Sequence, residues 1–307
     1  MKTSNQIQRE FGNRVRELRR GKGLSQEQFS FECELDRTYV SQVELGRRNI
    51  SLQNIKAMAD ALDVHIGELF TAGVPSTGVP SGAGVAYRER QGLSINCGFT
   101  VSSQHILESA NATAIQLQAL PFSLYQSIDL KTLSSIVGAV FVGLLADQVG
   151  AMVNPIEKGH PDIIPTEGRN ATEAQLRNYP NGLEVKSTVG NVEKGSNLQP
   201  GTPRIGCLTG LTWQAHHREV RRLLGLAVDF AGRTKGAKRY PVITGCFYTD
   251  ALDVEDWGEI SGTTGRNTKV TGMRSSGKSK MGAGWVLVLN QDEYVTKYQN
   301  LLDFDLG

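Results

Sequence analysis

Gly182-Leu183-Glu184-Val185-Lys186-Ser187-Thr188 alternates apolar and polar side chains with a period of two and so reads as a β-strand. Successive side chains of a strand point to opposite faces. Leu183 and Val185 therefore enter a core, while Glu184 and Lys186 share the other face. Upstream, Gly159-His160-Pro161-Asp162-Ile163-Ile164-Pro165 is a turn followed by a short apolar run between two prolines, which suits a short strand leaving a bend. If the two strands pair, Asp162 lies near Glu184. Two carboxylates and one ammonium then converge.

Carboxylates are hard oxygen ligands of the kind that hold Mg2+, which neutralises charge on a phosphodiester and acidifies bound water. On this reading Asp162 and Glu184 hold the ion. Lys186 orients or deprotonates the attacking water, with its pKa depressed by the neighbouring metal. An acidic-x-Lys triplet by itself carries little weight, because short motifs recur by chance. Asp129-Leu130-Lys131 is one such rival, but it stands at a helix start with no Pro-Asp strand before it. The other reading of Glu184 and Lys186 is a same-face ion pair on a surface strand.

Working outward, residues 104–120 read as a helix with Ile106, Leu107, Ala110, Ala114 and Leu117 inward, and Asp129 caps a longer helix running to about Val149. Downstream, 213–224 reads as a helix with Val220 and Leu224 inward and Arg218 and Arg221 outward. Lys and Arg outnumber Glu219 and Asp229 between Arg204 and Arg239, an excess suited to phosphate contact. His216 and His217 read as DNA contacts or packing groups rather than catalysts, since adjacent helical residues face different ways. Val242–Tyr248 and Gly284–Leu289 read as strands, the second leading into a last helix, 291–302. Between them, 258–282 reads as a long basic loop that brings Arg266, Asn267, Lys269 and Arg274 to DNA, or as a solvent loop without that role.

The amino-terminal region has a different character. Phe11, Val15 and Leu18 form one apolar stripe, ended by Gly21 and Gly23. Ser25 caps a second helix with Gln28 at the capping-box position. Asp36 caps a third, from Arg37 to Leu45, closed by Gly46, and Ser51 caps a fourth carrying Leu52, Ile55, Met58, Ala59 and Leu62. Ile66, Leu69 and Phe70 complete the core. Residues 71–84 hold only Gly, Pro, Val and small Ala, Ser and Thr, the composition of a tether, so the chain reads as a module (1–70), a linker (71–92) and a second domain (93–307).

Leu24-Ser25-Gln26-Glu27-Gln28-Phe29, Tyr39-Val40-Ser41-Gln42-Val43-Glu44-Leu45-Gly46-Arg47-Arg48 and the run from Ser51 to Leu62 resemble the Xre/lambda-repressor helix-turn-helix family. The resemblance implies an all-α domain whose third helix enters the major groove of double-stranded DNA. Arg37, Thr38, Tyr39, Ser41 and Gln42 would then face the DNA, with Gln26 and Arg47 or Arg48 on phosphates. A bundle of this kind can also serve as a dimerisation or docking unit.

Pro161-Asp162 and Glu184-Val185-Lys186 resemble the PD-(D/E)xK superfamily, in particular type II restriction endonucleases. The resemblance implies an α+β or α/β domain with a mixed central sheet flanked by helices, a Mg2+ cofactor and a homodimer whose two sites address the two strands. In sites of this kind the Val185 carbonyl supplies a further ligand, and a preceding helix often adds a carboxylate. Glu108 is the candidate for it, with Glu157 and Glu167 as competitors. Glu167 to Asn181 would be a loop insertion.

Bulk properties set wide limits. A chain of 307 residues has room for two or three domains. A formal charge of +2 does not diagnose nucleic-acid binding, so any basic surface must be local. Cys33, Cys97, Cys207 and Cys246 are too scattered for a zinc site or a disulfide frame. The polar start carries no secretory pattern, and the apolar run Ile136–Ala146 is short for a membrane span, so a cytoplasmic protein with no membrane partner is expected. The expectation is thus a sequence-specific restriction endonuclease, with a cognate DNA methyltransferase as genetic partner. Two others remain open: a transcriptional repressor with a sensing or oligomerising carboxy-terminal domain, and a nuclease specific for methylated DNA.

Overall fold

A computed structural model of the chain describes residues 4–64, 66–70, 85–157, 159–199, 201–216, 218–231, 239–261 and 270–306. It divides into two compact units, Met1–Ser81 with Gln118–Leu124, and Gly82–Leu117 with Tyr125–Gly307.

The first unit carries α1 (Ser4–Gly21), α2 (Gln26–Glu32), α3 (Arg37–Glu44), α4 (Leu52–Leu62) and a 3-10 turn, Ile66–Phe70. Its caps follow the sequence. The Gln28 N–H donates to Ser25 Oγ and the Ser25 N–H to Gln28 Oε1, while Asp36 accepts the N–H groups of Thr38 and Tyr39. Each satisfies donors that a helix start leaves without intrahelical partners. Phe11, Val15, Phe29, Val40, Val43, Met58, Leu62 and Leu69 fill one core. Below it, the buried Arg19 guanidinium donates to the equally buried Glu44 carboxylate at 2.6 Å.

The second unit is built on a sheet ordered β1 (Tyr87–Glu89), β13 (Trp285–Leu289), β11 (Tyr240–Thr249), β10 (Leu223–Ala231), β6 (Glu184–Thr188). Its neighbours are antiparallel except β10 and β6, which run parallel, so the sheet is mixed with β6 at one edge. Short pairs decorate it: β2 (Ser94–Asn96) with β3 (Thr100–Ser102), β4 (Met152–Val153) with β5 (Ile163–Ile164), β7 (Asn191–Val192) with β8 (Leu208–Gly210), and β9 (Gln214–Ala215) with β12 (Thr271–Gly272).

Helices cover both faces. Around α5 (Ser103–Ala119), α6 (Phe122–Ser127) and α7 (Leu130–Gln148), it is α7 that packs on β6 and β10. Ser134 of α7 donates to the Ser187 carbonyl, which fixes α7 on the face of β6 that Val185 and Ser187 share. Gly225 is in register with Lys186 and lies against Met281 of α9 (Ser275–Ala283), on the opposite face. With α10 (Asp292–Leu302) beside α9, the result is a helix–sheet–helix sandwich. The 19-residue α7 is long and apolar enough to cross a bilayer. Here its Leu133, Val137, Phe141 and Leu145 are buried as a core helix.

Four sequence expectations change. Residues 213–224 are not a helix: Trp213 and Ala215 are buried while Gln214 and His216 are exposed, a period of two, and β10 begins at Leu223. Leu224 is buried because β10 is an interior strand, and Val220, in the segment before it, is buried in the core where Trp257 Nε1 donates to its carbonyl; their spacing of four only mimics a helix. Residues 258–282 are not one loop, since β12 and α9 lie within them. Gly282 of α9 packs so closely on Leu302 that a Cβ would stand 2.5 Å from the Leu302 carbonyl oxygen, so glycine there marks packing rather than a loop. The segment read as linker, 71–92, contains β1, which is tied to β13 through its backbone and to the Ile243 carbonyl through the Tyr87 hydroxyl. Residues 71–84 lie outside the described ones. Finally, 167–181 is folded, with a 3-10 turn (Thr166–Asn170) and α8 (Glu173–Leu176), the latter capped by Thr172.

Candidate active site at the sheet edge

Ile163 and Leu183 exchange both backbone hydrogen bonds, at 3.1 and 2.9 Å, in an antiparallel bridge along the free edge of β6. Gly182 makes that approach possible: its φ is +143°, and a Cβ there would lie 2.3 Å from the Ile163 carbonyl oxygen. An antiparallel register sets Asp162 opposite Glu184, side chains on one face, and Lys186 follows on that same face.

The three charged groups meet. Lys186 Nζ lies 2.7 Å from Glu184 Oε1 and 3.1 Å from Asp162 Oδ2. Asp162 Oδ2 also accepts the Val185 N–H at 2.8 Å. In an extended strand a residue's N–H and C=O point to the same side, so the Val185 carbonyl shares this edge. Their ionisation reflects the crowding. Asp162 is held above the usual carboxylate value, first by burial and then by repulsion from Glu184. Burial opposes the charge on Glu184 too, but His160 and Lys186 outweigh it and bring its pKa down to about 2. Burial also opposes the charge on Lys186, yet the two carboxylates hold its pKa up at about 12. The charged neighbours of Lys186 are carboxylates, which stabilise the ammonium; the depression expected from sequence belongs to a site that holds a metal.

This donor set suits a hard divalent cation. Two carboxylates already converge on one positive charge, and Mg2+ is commonly held by one or two carboxylates with waters completing the shell. Among the described residues no three His, Cys, Asp and Glu side chains form a complete metal shell. Glu108 is exposed on α5 and takes a hydrogen bond from Gln104 four residues before it. It makes none of the contacts of the Asp162–Glu184–Lys186 group, because its side chain lies along its own helix surface. Glu157 and Glu167 are likewise exposed.

His160 was not singled out in the sequence. Its Nδ1 lies 3.1 and 3.3 Å from the two Glu184 carboxylate oxygens, and its ring centroid is 5.9 Å from that of His216, which is exposed. A histidine beside the Pro-Asp pair was the available signal.

Of the basic candidates, Arg221 is exposed just before β10, as is its neighbour Arg222, which the sequence had not singled out, and Arg274 is exposed at the start of α9. Arg218 is half-buried and its Nη2 donates to the Val254 carbonyl at 3.0 Å. That bond ties it to the protein itself. Arg266, Asn267, Lys269 and His217 lie outside the described residues.

In the helical unit, Arg37, Thr38 and Gln42 are exposed on α3, with Tyr39 and Ser41 half-buried. The Tyr39 hydroxyl accepts from Asn54 Nδ2 at 2.9 Å, and the exposed Arg48 lies over its ring. Arg47 is exposed as well. Gln26 is half-buried and its amide donates to Glu44 Oε2 at 2.7 Å, a further partner for that buried carboxylate beside Arg19.

A short polar helix presented by a capped helical bundle defines a DNA-binding helix-turn-helix protein. Residues 15–69 match the helix-turn-helix family HTH_3, and the chain belongs to that family through this module. The control protein C.BamHI of Bacillus amyloliquefaciens is 46% identical over 67 residues, 22% of this chain and 83% of that protein. The control protein C.MunI of a Mycoplasma species is 44% identical over 68 residues, 22% of this chain and 92% of that one. Among solved structures, the restriction-modification controller protein C.AhdI from Aeromonas hydrophila is 56% identical, covering 20% of this chain and 96% of its own, with a TM-score of 0.20.

Proposed function

We propose that this chain is a Mg2+-dependent, sequence-specific endonuclease for double-stranded DNA, a type II restriction enzyme of the PD-(D/E)xK superfamily, with a helix-turn-helix module that adds DNA contacts or represses its own operon. The observation that carries this reading is the meeting of Asp162, Glu184 and Lys186 at the edge of a mixed sheet. The likeness of the amino-terminal module to control proteins of restriction-modification systems supports the biological setting.

Asp162, Glu184 and the Val185 carbonyl would hold the cation. Mg2+ bound there supplies charge neutralisation at the phosphate and an acidified water. Lys186 would orient the attacking water, which passes its proton to solvent as the new P–O bond forms and the ester bond breaks, and would offset the negative charge that grows on the phosphate oxygens. The leaving oxygen takes up a proton from solvent. Exposed Arg221, Arg222 and Arg274 would hold the duplex by its phosphates. Two copies, one per strand, complete a double-strand cut. A host carrying such an enzyme needs a DNA methyltransferase of the same specificity to protect its genome.

The likeness to control proteins also favours a second reading, in which the carboxy-terminal unit senses a ligand or oligomerises and the chain acts only as a repressor. Digestion of unmodified and methylated plasmid with Mg2+ separates these readings. Discrete fragments from unmodified plasmid support the proposal, and cutting of methylated plasmid alone changes its substrate. Operator binding without any cutting supports the repressor.

A further inference from the structure

We infer that His160 is a positioning residue that fixes the Glu184 carboxylate for cation binding, an inference that rests on the nuclease reading. Both Glu184 oxygens lie within 3.3 Å of the same imidazole nitrogen, Nδ1. Lys186 is the other partner of Glu184, and an incoming cation competes with that ammonium for the same carboxylate. His160 does not have to move. Among the described residues that partner Glu184, it is the group that keeps the carboxylate from rotating when Lys186 gives way.

The backbone around His160 is built to hold the ring still. The His160 N–H donates to the Arg177 carbonyl at 3.2 Å, and the His160 carbonyl accepts the Tyr179 N–H at 2.7 Å. The buried Asn154 side chain braces both segments at once, donating to the Pro161 and Leu176 carbonyls at 3.1 and 2.8 Å. The Asn154 N–H reaches the Asp162 carbonyl at 2.9 Å. One asparagine therefore ties together the segment that carries His160 and Asp162 and the folded stretch 172–179. That stretch is the brace for His160, which gives a physical reason for the long separation of Asp162 from Glu184.

A partner that orients a ligating carboxylate changes metal affinity by roughly 10–100-fold when removed. The test uses the full chain and Mn2+ as a spectroscopic stand-in for Mg2+, with binding followed by electron paramagnetic resonance, independently of cleavage. His160→Ala is expected to weaken Mn2+ binding by roughly 10–100-fold. His160→Asn and His160→Gln, whose amides can donate to Glu184, recover most of the loss at unchanged melting temperature. Wild-type affinity in His160→Ala overturns the inference. So does a loss that neither amide variant repairs while both melt like wild type. Should His160→Ala fail to fold, the two amide variants decide alone. Absence of Mn2+ binding in the wild-type chain is a different result, which removes the metal-site reading itself and the inference with it.

Discussion

The Asp162 carboxylate accepts the Val185 N–H at 2.8 Å, so an acidic side chain takes the place of a neighbouring strand along the open edge of β6. One oxygen thus serves the fold and the site together. Asp162→Asn keeps an acceptor but loses the charge. It is expected to fold normally and to lose cation binding and cleavage. Asp162→Leu removes the acceptor as well, and denaturant unfolding should show a loss of about 1–3 kcal/mol, toward the lower end because the side chain retains solvent access.

Lys186 stands where a cation would be attracted, held by both carboxylates. Lys186→Met should therefore bind Mn2+ at least as tightly as wild type, since a competing ammonium is gone. Cleavage should nonetheless fall by roughly 10²–10⁴-fold, the usual scale for a lost proton-transfer or orienting group. Loss of Mn2+ binding in this variant would contradict the assignment.

Arg19 and Glu44 form a buried ion pair inside the helical module. Removing one partner of such a pair leaves an uncompensated charge and costs about 3–5 kcal/mol. Glu44→Ala should accordingly unfold the module in guanidinium titrations and abolish operator binding.

Arg37 and Gln42 are exposed on α3. If this helix reads base edges, Arg37→Ala and Gln42→Ala should each weaken specific operator binding by about 1–3 kcal/mol. Non-specific binding should change much less. Equal losses on all sequences would assign these residues to phosphate contact.

Asp256 is buried, which opposes its charge, but hydrogen bonds led by the Lys280 ammonium at 2.6 Å hold its pKa below the usual value. A carboxyl depressed on folding adds stability above its unfolded pKa, near 3.8, and loses it as the pH falls further. Melting temperatures of wild type and Lys280→Met should differ at pH 6 and converge below that value. A constant difference would contradict the assignment.

The site was legible wherever a local period carried it. Alternation through Leu183–Lys186 was enough to put Glu184 and Lys186 on one face, and two prolines marked the short strand beside Asp162. The helix caps at Ser25, Asp36, Ser51 and Asp129 were legible because each is a side chain bonding its own neighbourhood. What was not legible depends on partners distant in sequence. His160 meets Glu184 only because residues 177–179 and Asn154 hold it there. The helix at 275–283 hides behind glycines that serve close packing, Gly277 on Met273 and Asp256 and Gly282 on Leu302 of α10. Val220 and Leu224 mimic helical spacing because one is buried in the segment before β10 and the other within that interior strand.

The most direct measurement is strand scission of supercoiled plasmid by purified protein in Mg2+, comparing wild type with Asp162→Asn and Lys186→Met. The account predicts discrete fragments from wild type and intact plasmid from both variants, all three still binding DNA through the helix-turn-helix module. Intact DNA of every modification state with wild type in Mg2+ or Mn2+, or equal cutting by Asp162→Asn, would contradict it.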